Sequence, residues 1–259
     1  MNTTQFVIFG WTWNPAAMLA GAIAVAIYFA AVRHRGRAVW FAASIGALWL
    51  ALLSPLNTLA DGYLFSAHMA QHILLLLIVP ALLLLALPRA LSLGAGPRFL
   101  SGPLAGWLAG VGAMWLWHAP ALCNAAVASR PVRALQIVSL LALGAVFWRQ
   151  ILAPREEERL SPPRAVLYLF SACAACGVLG IIVTFSPVAV CSIYTMPRSD
   201  PLGILQTIRA DWGLTPERDQ QIGGLLMWVP MCLIYLTAVL AQLARWFAPS
   251  PAPVSEKLL

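Results

Sequence analysis

Two histidines four residues apart, His68 and His72 in the segment Ser66-Ala67-His68-Met69-Ala70-Gln71-His72, interrupt an otherwise apolar stretch. On a helix this spacing stacks both imidazoles on one face, about a turn apart, as binding a single metal ion requires. A third imidazole, His118, stands at the end of another apolar stretch in Trp115-Leu116-Trp117-His118-Ala119-Pro120. A carboxylate and two amides open a further one in Asp219-Gln220-Gln221, with Gly223, Gly224 and the sulfur of Met227 after them. Ionisable groups inside long apolar segments are rare without a partner or a task. Three imidazoles therefore indicate a metal site, a haem site or a proton relay; hydrogen-bonded packing within a helix bundle is the plainer alternative.

These residues must be held by membrane-spanning helices. Of the 259 residues 61% are hydrophobic and 10% charged, against roughly 25% charged in soluble domains. Apolar runs at about 16–32, 38–54, 65–87, 104–122, 134–151, 165–185 and 222–244 approach bilayer-spanning length. The fold expected is an all-α integral membrane bundle of about seven spans over residues 1–247, with a long loop at 186–221 and a Pro- and Ser-rich disordered tail at 248–259. No Lys or Arg precedes Arg33, so the first run reads as a retained span rather than a secretory signal.

Orientation follows from the basic residues. Arg33, Arg35, Arg37, Arg89, Arg98, Arg149, Arg155, Arg159, Arg164, Arg245 and Lys257 fall on one side, 11 of the 16, and Arg130, Arg133, Arg198, Arg209 and Arg218 on the other. The richer side belongs in the cytoplasm, which puts the N-terminus outside, the tail inside and loop 186–221 outside. His68, His72, His118 and Asp219 then share one depth beneath the outer face. The net charge of +7 is explained by this topology and does not indicate nucleic acid, because the basic residues form no continuous face.

Asp219 has two readings: it accepts an imidazole N–H and orients a ligand, or it caps the N-terminus of its own helix. Met69 and Met196 read as packing residues, as methionines in such chains usually are. His34, between Arg33 and Arg35, reads as a solvated loop residue. Cys173 and Cys176 form a C-x-x-C inside an Ala- and Gly-rich span and read as helix packing. The five cysteines show no disulfide framework, and Cys123, Cys191 and Cys232 have no partner recognisable from spacing. Trp11, Trp13, Trp40, Trp212 and Trp246 sit near span ends as interface anchors, and Ile204 to Trp212 reads as a short helix lying on the surface.

The sequence His68-Met69-Ala70-Gln71-His72, then a Leu-rich run with Pro80 and Pro88, then Trp117-His118-Ala119-Pro120, then Asp219-Gln220-Gln221 with Gly223-Gly224 and Met227-Trp228, resembles the CtaG-like multi-span proteins associated with cytochrome c oxidase assembly. The resemblance implies a non-enzymatic assembly factor of a bacterial inner membrane. Its partner would be the catalytic subunit of a haem-copper oxidase, and its cargo a transiently held copper ion. Carried over by position, it implies His68, His72 and His118 as ligands, with Asp219, Gln220 and Met227 behind them. A haem-binding or quinone-linked redox protein, a proton-coupled carrier and a metal-free scaffold are the competing expectations.

Overall fold

In a computed structural model the chain is described over residues 1–31, 37–89, 91, 102–196 and 200–248. His34, the basic residues Arg33, Arg35, Arg98, Arg198 and Lys257, and all of the expected tail except Ala248 lie outside the described residues. Proline stands in the first turn of most helices, where its absent N–H would have had no intrahelical partner. The helices are α1 (Thr3–Phe9), α2 (Pro15–Ala31), α3 (Ala38–Leu52), α4 (Pro55–Ala60), α5 (Phe65–Ala86), α6 (Pro103–Trp117), α7 (Pro120–Ala128), α8 (Arg130–Leu152), α9 (Pro162–Phe185) and α10 (Pro216–Phe247). No strand occurs among the described residues.

Four helices, α5, α8, α9 and α10, are long and apolar enough to cross a membrane. Two shorter apolar helices, α2 and α3, fall below that length. The run expected at 104–122 is divided: α6 ends at Trp117, and α7 starts anew at Pro120. The residue before a proline is disfavoured in helical conformation, and Ala119 is indeed extended. Large apolar side chains such as Leu19, Ile27, Phe170, Ile182, Leu233 and Leu240 are exposed, the surface of a bundle whose solvent is hydrocarbon rather than water.

α10 packs chiefly against α9 and also against α5. Small residues set these distances. A Cβ at Gly224 would collide with the backbone of Thr184, and one at Gly223 would press on Phe65 and Met69. The paired glycines thus admit both neighbouring helices, as small residues do in membrane bundles.

α5 carries a π-helical turn, Leu74–Ile78, directly after His72. Pro80 has no N–H to give the Leu76 carbonyl, and the N–H of Val79 reaches back to Leu74. Gly144 of α8 lies against the freed Leu76 carbonyl, too near for any Cβ. The π turn therefore sits where α8 is closest, and such single turns are frequent at functional sites.

At the end where α5 begins and α6 stops, the connections form a cap. Cys123 of α7 is disulfide-bonded to Cys191 after α9, a pairing that no spacing in the sequence revealed. The Asn124 carboxamide accepts from the Ile193 backbone at 3.0 Å, and Tyr194 donates its hydroxyl to the Ala60 carbonyl at 2.6 Å. The segment 204–212 is helical only in part, with a π turn at Thr207–Asp211. It lies at the surface with Gln206, Ala210 and Asp211 exposed, and buries Ile204 and Ile208 with Phe6, Tyr63 and Leu64. Trp212 packs edge-on against Phe6 rather than standing out as an anchor.

Candidate metal site beneath the cap

α5 delivers His68 and His72 on one face with ring centroids 4.6 Å apart, and α6 brings His118 to 5.0 Å from His72. All three are buried, and the Tyr194 ring covers His68 at 5.9 Å. The imidazoles expected to converge do lie side by side. Even so, among the described residues no group of three or more His, Cys, Asp or Glu side chains is arranged to hold a metal ion. Their hydrogen bonds set the three rings apart.

His68 is engaged. Arg133 of α8, only 8% exposed, donates to His68 Nδ1 at 2.6 Å and also bonds the Gln71 carboxamide oxygen. Nδ1 is thereby the acceptor and the proton of neutral imidazole sits on Nε2, so the Gln136 amide nitrogen 3.4 Å away is a contact and not a hydrogen bond. Neither nitrogen of His68 has a free lone pair.

His118 is arranged the other way. Its Nδ1 lies 2.5 Å from the Met114 carbonyl, which can only accept, so Nδ1 carries the proton and Nε2 presents its lone pair. That lone pair faces the thioether sulfur of Met69 at 2.9 Å. Two electron-pair donors thus meet with no proton between them, an arrangement that a soft cation would relieve. Beside them the buried His72 has no hydrogen bond of good geometry on either nitrogen, with the Gln136 side chain nearby. Buried polar atoms without partners are few in native structures. The lone pairs of His118, Met69 and His72 are therefore the candidate ligand atoms, and Met69, read from the sequence as a packing residue, lies among them.

None of the three residues expected to stand behind the ligands is hydrogen-bonded to an imidazole among the described residues. Asp219, 1% exposed, accepts the backbone N–H groups of Phe65 at 2.6 Å and Ser66 at 3.0 Å. It caps neither its own helix, where Thr215 serves, nor an imidazole. It caps α5, whose own N-cap Leu64 offers no side-chain acceptor. The Gln220 carboxamide is spent on loop carbonyls after α9 and on the Val190 N–H. Met227 is a core residue with no exposure, packed against its apolar neighbours.

Gln71, between the two histidines, bonds the Ala51 carbonyl at 2.5 Å and Asn57 at 2.9 Å, which ties the α5 face to α3 and α4. Sequence reasoning missed Arg133, counting it only among the basic residues of the outer side. Its signal was the three-residue spacing of Arg130, Arg133 and Gln136, a polar stripe on one face of an otherwise apolar helix. The C-x-x-C does not act as a pair: Cys173 Sγ meets Cys232 of α10 at 2.8 Å, and Cys176 approaches the Tyr235 hydroxyl.

Residues 25–248 match the sequence profile of the cytochrome c oxidase caa3 assembly factor family. An uncharacterized protein of Mycobacterium leprae (strain TN) is 25% identical over 207 residues, covering 71% of this chain and 30% of that relative; the chain thus spans about a third of the relative's length. No solved structure matches. With the family profile covering the bundle from α2 to the end of α10, including every residue of the buried histidine group, this chain belongs to the cytochrome c oxidase caa3 assembly factor family.

Proposed function

We propose that the protein is a seven-span assembly factor of the bacterial plasma membrane that holds a copper(I) ion transiently and passes it to the catalytic subunit of a haem-copper oxidase. The observation that carries this reading is the contact of His118 Nε2 with Met69 Sδ at 2.9 Å beside the unpartnered His72. Two imidazoles and a thioether are a ligand set suited to copper(I). Three ligands or fewer leave room for an acceptor protein's ligand to enter, and His68 would join once Arg133 withdraws.

The proposed spans are α2, α3, α5, α6, α8, α9 and α10, with the N-terminus and the site facing outward. Two observations support that orientation: the excess of basic residues at the opposite end, and the Cys123–Cys191 disulfide at the site's own end, since disulfides persist on the oxidising side of a membrane.

The test loads purified protein with copper(I) under reducing conditions that spare the disulfide and measures bound metal. The expected result is one ion per chain, lost in His72→Ala and His118→Ala and weakened in Met69→Leu. Unchanged copper content in all three variants would sink the proposal, and a Soret band in the purified protein would replace copper with haem.

A further inference from the structure

A cavity of about 690 Å³ opens between α2, α3 and α8. Its two ends differ in chemistry. Deeper in the bundle the walls are Ala17, Ala20, Leu48, Ile137 and Leu141. At the end nearest the cap they are Asn14, Asn57, Asp61, Arg130 and Arg133. From Arg130 to Leu141 the α8 wall rises about 16 Å.

The polar end holds two guanidinium groups and one carboxylate, so a positive charge is left over where the walls are partly apolar. Arg130 makes no hydrogen bond or ion pair among the described residues. Arg133 is nearly buried and donates from both terminal nitrogens to His68, Gln71 and Gln136, while remaining part of the cavity wall. A cation so placed is stabilised by an anion that brings its own apolar body.

Size narrows the occupant. A transmembrane helix is about 10–12 Å across, so a 16 Å length displaces well over ~1,200 Å³. The cavity is smaller and falls within the ~300–1,000 Å³ typical of small-ligand sites.

We propose that this cavity binds a single-headed anionic amphiphile, its carboxylate or phosphate held between Arg130 and Arg133 and a hydrocarbon chain lying along α8 against α2 and α3. A free fatty acid and an acidic phospholipid share this chemistry. Asp61 opposes the anion and sets its affinity from the other side.

Native mass spectrometry of the detergent-solubilised protein tests the proposal with three probes: phosphatidylglycerol, phosphatidylcholine and oleate. The protein is expected to retain phosphatidylglycerol or oleate at least about tenfold more tightly than phosphatidylcholine; the preferred probe identifies the head. Arg130→Gln should weaken that binding about tenfold, the loss of one charge-assisted contact. Ala17→Phe should weaken it by filling the apolar end, and Asp61→Asn should strengthen it. Arg130 is exposed, so its variant is expected to fold even where an Arg133 variant does not. Equal retention of phosphatidylglycerol, phosphatidylcholine and oleate, or an Arg130→Gln protein that retains the anionic probe as well as the wild type, would overturn the proposal.

Discussion

Replacing Asp219 with alanine tests how the bundle builds its site, because this carboxylate touches no ligand and yet holds the helix that carries two histidines. Its oxygens take the Phe65 and Ser66 N–H groups at 2.6 and 3.0 Å, and nothing else caps α5. Losing this cap strands two buried donors that had bonded a charged group, at a cost of about 1.5–3 kcal/mol. That corresponds to a melting temperature lower by about 3–12 °C at the usual ~2–4 °C per kcal/mol for a chain of this size. Asp219→Asn keeps one acceptor and should fall about midway. A thiol-reactive fluorophore follows unfolding in detergent directly, since Cys176 is a free, buried thiol. An Asp219→Ala protein melting within about 1 °C of the wild type would refute the claim that α5 is anchored from α10.

Arg133→Met removes the cation that occupies His68 Nδ1; it should relieve repulsion of about 1–3 kcal/mol toward a bound copper ion, a gain of roughly ten- to hundredfold in affinity. In that background, but not in the wild type, His68→Ala should weaken copper binding, as competition with a chromogenic copper(I) chelator would read. Alkylation of the denatured, unreduced protein should label three cysteines, not five, because Cys123 and Cys191 are joined. Cys123→Ser should cost up to about 4 kcal/mol for opening a 68-residue loop, seen as a lower melting temperature. Burial raises the carboxyl pKa of Asp61 in the turn before α5, against the pull of Arg133 and Arg130. The folded chain then binds that proton more tightly than the unfolded one, so this group's contribution to stability falls as pH rises from the ordinary carboxylate range through the raised value. Asp61→Asn should flatten that part of the pH profile and raise the melting temperature at neutral pH.

The apolar runs placed α5, α8, α9 and α10 well, because hydrocarbon-facing helices need nothing but length and hydrophobicity to be visible. The i, i+4 spacing of His68 and His72 and the depth of His118 also carried through to neighbouring rings. What stayed hidden depended on contacts between distant segments. Cys123 and Cys191 are 68 residues apart, and no local pattern links them. Asp219 looked like a cap for its own helix because capping is usually local, whereas here α10 enters beside the uncapped start of α5. Arg133 was counted as a topological charge, and only the packing of α8 on α5 turns it inward to His68. Met69 was indistinguishable from a filler methionine until α6 brought His118 against its sulfur. The break at His118-Ala119 was written in Pro120, which ends α6 three residues before the disulfide cysteine of α7.

The central claim is that His72, His118 and Met69 form one copper(I) site. X-ray absorption at the copper edge of the loaded, purified protein tests it most directly. The expected spectrum shows a mixed shell of imidazole nitrogen and one sulfur, with the sulfur absent in Met69→Leu and the imidazole scattering reduced in His118→Ala. A spectrum with no sulfur scatterer in the wild type, or one unchanged in both variants, would contradict it.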